Sequence, residues 1–315
     1  MRGIETIEIP GNMMIRAAAV FLLCCCIAAC GGAGARQEAF TAVADAGAPG
    51  ATPAAAPKLG LALGGGAARG FAHVGVIKVL QSHGIEPDLV VGTSAGCMAG
   101  ALYSAGYSGF DLQQMSFDLD RAAVADWSVF NNSLVKGDAL HAFVDQAVKQ
   151  VPMEKLKRRF ACVAVKLRSG DAVLLDHGDV GDVVRASTAV PEVFAPMVIN
   201  GETYVDGGLR APVPIRQAHA MGADLVIAVD VSSPPGALPD GRMAMLKQTI
   251  AIMSMGLREY EAKEADVMIT PDLSGIGSTD FDDRMKAILA GERAAQAALP
   301  QIREKLAARG VVIGG

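Results

Sequence analysis

The pentapeptide Gly92-Thr93-Ser94-Ala95-Gly96 restricts the fold of this chain more than any other stretch. Asp88-Leu89-Val90-Val91 before it is short and apolar enough for a buried strand, and Cys97 to Ala105 after it has helical spacing. A chain that passes from strand to helix in five residues must turn sharply, and the residue at the apex is strained. Gly92 and Gly96 make that turn possible and leave small flanks around the Ser94 hydroxyl. The sequence therefore predicts a nucleophile elbow, with a helix N-terminus behind the serine where negative charge would develop.

A second glycine-rich turn lies upstream. Lys58 to Leu63 reads as a strand, Gly64-Gly65-Gly66-Ala67-Ala68-Arg69-Gly70 as a loop, and Phe71 to His83 as a helix stopped by Gly84. Such a loop serves either as a dinucleotide site, where glycines admit a pyrophosphate, or as an oxyanion hole, where the same N–H groups meet a tetrahedral intermediate. Arg69 occupies the place of the third glycine in a dinucleotide fingerprint starting at Gly64. No acidic residue closes a second strand about 20 residues on. The oxyanion reading is the better one.

A serine nucleophile needs a base. Glu202 to Val205 reads as a short strand that ends at Asp206-Gly207-Gly208. An aspartate before two glycines can be only a turn, or a carboxylate presented at a strand end to Ser94. The histidines fit the role less well: His73, His83 and His141 fall in helical patterns, and His177 in a His-Gly turn. His219 follows Asp206 in Ser-Asp-His chain order but sits within the helical stretch Pro214 to Met221. A triad through His219 is the alternative.

The remaining elements alternate. Helices are expected over Gly137 to Val151, Val180 to Ala186 and Arg284 to Ala307, and strands over Phe160 to Leu167, Ala172 to Leu175 and Asp266 to Thr270. The continuous apolar run within Ala223 to Asp230 suits a strand buried on both faces. Alternation of this kind predicts an α/β fold with a mainly parallel central sheet and helices on both faces. With 51% apolar residues, 36 glycines and 5% aromatics, close helix–sheet packing is favoured over a β-sandwich. Met243 to Leu257 is a helix carrying four methionines, read either as a core helix or as an adaptable wall for acyl chains. The net charge of −5 and the lack of a long basic tract argue against a nucleic-acid partner. The one basic cluster, Lys155 to Arg159, reads as a solvated helix end. Cys97 and Cys162, flanked by apolar or small residues, read as buried free thiols.

Over Lys58 to about Leu306 the chain resembles patatin-like phospholipases, especially the bacterial branch related to the neuropathy target esterase domain. The glycine loop, the Ser94 elbow and Asp206-Gly207-Gly208 come in that family's order, and Arg185-Ala186-Ser187-Thr188-Ala189-Val190-Pro191 looks like its R-A-S-x-x-x-P segment. The resemblance implies a three-layer patatin-like fold and a Ser94–Asp206 dyad without histidine. It further implies an oxyanion hole formed by the N–H groups of Gly65, Gly66 and Ala67. Gly64, Arg69, Gly70, Gly92, Gly96, Gly207 and Gly208 support these motifs. Ala67 stands where the family often has a third glycine, a substitution that is harmless if the backbone there keeps a negative φ. The implied activity is release of fatty acids from phospholipids or lysophospholipids, with no metal and no cofactor. An acyltransferase using the same acyl-enzyme, and a non-catalytic lipid-binding lipoprotein, are the alternatives.

The N-terminus reads as an address. Residues 1–29 contain an apolar core, Ala17 to Ala29, too short to span a bilayer, which needs about 20 residues, and suited to a signal peptide. Glu5 and Glu8 are foreign to a signal n-region, so Met13 or Met14 is a candidate start. Ile27-Ala28-Ala29-Cys30 resembles a lipobox with Cys30 as the lipidated residue. Residues 30–57 then form an Ala/Gly/Pro tether spanning about 30 Å as a random coil, and 58–315 the hydrolase domain. Gly31 is not the aspartate that retains many lipoproteins in the inner membrane. The expected place is therefore the bacterial cell envelope, lipid-anchored in the outer membrane and facing the periplasm.

Overall fold

The inner strands are almost wholly apolar because both of their faces are covered. In the computed structural model, which describes residues 57–118, 137–236 and 240–311, β1 (Leu59–Leu63), β2 (Leu89–Thr93) and β7 (Leu225–Val229) are buried throughout. Cys30, the leader and all of the tether except Pro57 lie outside the described residues. With β3 (Arg159–Lys166), β4 (Ala172–Leu175), β5 (Met197–Ile199), β6 (Glu202–Asp206) and β8 (Val267–Ile269), they form one sheet. Its order is β5-β6-β3-β2-β1-β7-β8, with β4 also paired to β3. The run β3-β2-β1-β7-β8 is parallel; β4, β5 and β6 join antiparallel.

Side chains alternate across this sheet with period two. Leu61, Leu63 and Ile227 point to one face, where α1 (Phe71–Ser82), α2 (Ala95–Ala105) and α8 (Arg284–Ala307) cover them. Ala62, Val91 and Ala228 point to the other, under α6 (Ile215–Ala220). This gives the three expected layers. α1 and α8 meet backbone to backbone. A Cβ added at Gly75 would stand 2.0 Å from the Ile288 carbonyl oxygen, and one at Gly291 would stand 2.0 Å from that of Ala72. Glycine in these two helices therefore serves contact, which offsets its cost in helix propensity of about 1 kcal/mol.

Three expectations are corrected. Cys97 and Cys162 are not free thiols. They form a disulfide with Cα atoms 5.4 Å apart, joining the first turn of α2 to β3. Closing a loop of 65 residues contributes about 4 kcal/mol in the chain-entropy picture. Lys155 to Arg159 is a helix end only at its start, where Lys155 closes a 3-10 turn, Met153–Lys155; the rest leads into β3, with Arg158 stacked on the Tyr103 ring at 4.3 Å and paired with Glu86 at 2.8 Å. The methionine-containing helix, α7 (Arg242–Glu261), is not a core helix. Among its described side chains only Glu261 is buried, and Met253 is 64% exposed. Helices α3 (Gly109–Asp118), α4 (Asp138–Val148) and α5 (Val180–Ser187) complete the account. Of these, α3 is not foreseen by the sequence patterns, and neither is strand β5.

Candidate active site

Ser94 sits between β2 and α2 with φ 52° and ψ −119°, a strained conformation for a residue with a side chain. The glycines around it are there for room. A Cβ at Gly92 would lie 2.4 Å from the Cys97 Cα, and one at Gly96 would lie 2.1 Å from the Leu63 carbonyl oxygen. Cys97 and Met98 donate their N–H groups to the Ser94 carbonyl at 2.9 and 3.2 Å. Ala95 opens α2 beside the serine, and its N–H has no partner among the described residues. It is a donor that the sequence reading did not name, although the residue after an elbow nucleophile commonly serves so.

Strand β3 brings the serine and the aspartate together. It pairs with β2 at Thr93–Val163 and with β6 at Asp206–Ala164, so two neighbouring residues of one strand fix the positions next to Ser94 and at Asp206. Asp206 is buried. Its Oδ1 accepts from the Gly208 N–H at 2.7 Å, while Oδ2 finds no hydrogen-bond partner among the described residues. Burial pushes its carboxyl up to about 6, against the Ser94 hydroxyl and the Gly208 N–H, which favour the charged form. The Ser94 hydroxyl thus acts on the carboxylate without reaching full hydrogen-bond geometry. Such contacts in a free enzyme commonly tighten only when substrate binds.

A short corner after α5 holds both residues. The Ser94 N–H donates to Ser187 Oγ at 3.0 Å, and that hydroxyl donates onward to the Val163 carbonyl at 2.6 Å. Two residues later the Ala189 carbonyl accepts the Asp206 N–H at 3.0 Å. Ser187 is fully buried and acts as a positioning residue. In Ser187→Ala the strained elbow loses its tie and two backbone groups lose their partner, at about 1–3 kcal/mol. We expect kcat to fall roughly tenfold to a hundredfold with KM little changed, and Ser187→Thr, which keeps the hydroxyl, to recover part of it. Full kcat in Ser187→Ala despite a lowered melting temperature would reduce Ser187 to a packing residue.

The glycine loop abuts the elbow: a Cβ at Gly65 would lie 3.3 Å from the Ser94 Cβ, and one at Gly70 would lie 2.6 Å from that of Ala95. Its N–H groups divide differently from expectation. Gly64 donates to Val229 at 3.0 Å and Gly65 to Pro212 at 2.9 Å, so Gly65 is not a free donor. Gly66 and Ala67 keep unpartnered N–H groups among the described residues. Ala67 also departs from expectation by adopting φ 50°, a left-handed conformation that costs a residue with a Cβ about 1–2 kcal/mol. At Gly66 any side chain would meet the Val231 carbonyl oxygen at 2.5 Å.

Behind the loop, buried His73 bonds the Gly64 carbonyl through Nε2 at 2.8 Å. Burial lowers its pKa to about 4, so the ring is neutral with the proton on Nε2, and it fixes the loop rather than catalysing. Arg69 is buried as well, with Nε unpartnered among the described residues. Desolvation lowers its pKa, opposed by the charge of Asp230, which is itself paired with Arg258 at 3.1 Å. Gly207 packs where a Cβ would stand 2.2 Å from the Val163 carbonyl oxygen, and Gly208 supplies the N–H on Asp206. His219 turns elsewhere, its ring nitrogens on the Ala223 and Glu264 carbonyls at 3.0 and 3.1 Å. The structure does not bring it to Asp206.

Residues 61–219 match the family model described as Patatin-like phospholipase. An NTE family protein of Mycobacterium tuberculosis is 31% identical over 274 residues, covering 76% of this chain and 46% of that protein. A lysophospholipase NTE1 of the yeast Meyerozyma guilliermondii is 29% identical over 181 residues, covering 56% of this chain and 13% of its own length. The chain thus spans about half the length of the mycobacterial relative and a small part of the yeast one. Among solved structures, VipD from Legionella pneumophila is similar over 78% of this chain and 67% of its own, with 16% identity and a TM-score of 0.49.

Proposed function

The chain belongs to the patatin-like phospholipase family, and from that premise we propose that it is a serine acyl-ester hydrolase releasing fatty acids from phospholipids or lysophospholipids. The observation that carries the reading is a strained serine facing a buried carboxylate whose Oδ2 is unpartnered among the described residues and whose pKa is raised to about 6. A base near neutrality takes a proton well and still returns it. Ser94 Oγ attacks the acyl carbon as its proton passes to Asp206. The oxyanion takes the free N–H groups of Gly66 and Ala67, with that of Ala95 beside them. Collapse expels the alcohol, which takes the proton back, and leaves an acyl-serine. Asp206 then deprotonates water for the second attack and returns that proton to Ser94 Oγ as the acyl–oxygen bond breaks, and the free acid departs. The test is a mixed lipid panel offered to the wild type and to Ser94→Ala, with released acids identified. Adding an alcohol acceptor to the same assay separates hydrolysis from acyl transfer.

We also infer export and lipid anchorage at Cys30, in the outer membrane facing the periplasm. The Ile27-Ala28-Ala29-Cys30 sequence supports this. So does the Cys97–Cys162 disulfide, since such bonds persist mainly in oxidising compartments. Mass spectrometry of the mature protein should find a diacylglyceryl-modified Cys30 at its N-terminus; an unmodified residue other than Cys30 there refutes the reading.

A further inference from the structure

We infer that the apolar cavity beside Ser94 is an acyl-chain site and that the α2 face bearing Met98, Ala99 and Leu102 sets the chain length it accepts, an inference that rests on the hydrolase reading. The cavity starts at the chemistry. Its lining includes Ala67, which offers an oxyanion N–H, and Ala95, next to the nucleophile. From Ala95 it follows Met98, Ala99 and Leu102, the i, i+3, i+4 and i+7 positions of one helix face. At 1.5 Å per residue that face runs about 10 Å from the elbow. Opposite stand Phe71 and Val74 of α1, Leu112 and Met115 of α3, and Leu140 and Phe143 of α4. Phe281 closes one side, edge-on to Phe71 with ring centroids 6.1 Å apart.

The lining chemistry selects the part of the lipid that enters. Among the described lining residues Ser116 alone has a side-chain oxygen or nitrogen, and its hydroxyl already donates to the Gln113 carbonyl at 2.6 Å. Among the described lining side chains a phosphate or choline head group would find no charge and no free donor, whereas an unbranched hydrocarbon chain loses nothing on entry and gains with each methylene buried. No described side chain of the exposed helix α7 is in this lining, so the cavity, rather than the methionine-bearing helix, is the acyl wall.

The experiment compares p-nitrophenyl esters from butyrate to palmitate. For the wild type, kcat/KM should rise about fourfold per added methylene and then level off once the cavity is filled. Ala99→Leu narrows the channel partway along and should lower the decanoate-to-butyrate ratio of kcat/KM at least tenfold. Leu102→Ala lengthens it and should move the plateau to longer chains. The Ser94→Ala protein, with and without Ala99→Leu, is tested for displacement of bound cis-parinaric acid by decanoate, and Ala99→Leu should weaken it. A flat chain-length profile, or a decanoate-to-butyrate ratio that neither variant changes, overturns the acyl-chain site while leaving Ser94-dependent butyrate hydrolysis intact. If no ester is cleaved at all, the hydrolase reading fails instead. The displacement assay then decides the cavity alone: weaker decanoate binding in Ala99→Leu upholds it, and no binding rejects it.

Discussion

Replacing Ser94 by alanine is expected to cut the release of fatty acid from every substrate by roughly a thousandfold to a millionfold, with the fold intact. The hydroxyl oxygen is the only heavy atom lost, and among the described residues it acts on Asp206. The elbow should persist, because its backbone is held by Ser187 on the N–H side and by Cys97 and Met98 on the carbonyl side. Alanine keeps a Cβ and so keeps the strain of φ 52°. Ser94→Gly should be equally inactive yet relieve that strain, by about 1–2 kcal/mol less the added flexibility of the unfolded chain. A fluorophosphonate should label the wild type at Ser94 and neither variant. Turnover above a few per cent of wild type in both, or labelling at another residue, removes Ser94 from the nucleophile's role.

What could be read in advance was local. Gly92 and Gly96 mark a strand that must become a helix at once, and apolar runs without alternation mark strands covered on both faces, so the elbow and the layer order were legible. What could not be read depends on partners distant in sequence. Nothing near Gly65 says that Pro212 will take its N–H. Ser187 is one serine among many until β3 sets it under Ser94, 93 residues away in the chain. The two cysteines gave no sign of pairing, because Cys162 lies on the strand opposite Gly92, whose lack of a side chain leaves Cys97 room to reach it. The misreading of α7 has another cause. Its apolar residues at 245, 246, 250, 252, 253 and 255 suggest burial by content, but they are spread around the helix and present no single stripe to a core.

Asp206→Asn should abolish activity and, at neutral pH, stabilise the protein. The carboxyl has a folded-state pKa of about 6 against an ordinary 3.8, with burial as the main cause. For a group raised in the folded state, stability is fully present below the unfolded value and is lost as pH climbs through the folded one. Below pH 3.8 both states are protonated, and above about pH 6 the folded protein holds a buried charge. That charge costs up to about 3 kcal/mol. Asparagine has nearly the same shape, keeps an oxygen for the Gly208 N–H and never ionises. The variant should therefore melt several degrees above wild type at pH 8 and close to it at pH 4. Its turnover should fall at least about a thousandfold, because the amide cannot accept the Ser94 proton. Wild-type kcat/KM should rise with an acid limb near pH 6, the value burial gives the free enzyme's base. His219→Ala should leave that profile in place, since its ring nitrogens face carbonyls elsewhere. An Asn variant less stable than wild type at pH 8, or an acid limb near pH 4, would show that Asp206 ionises freely and is not the tuned base of this site.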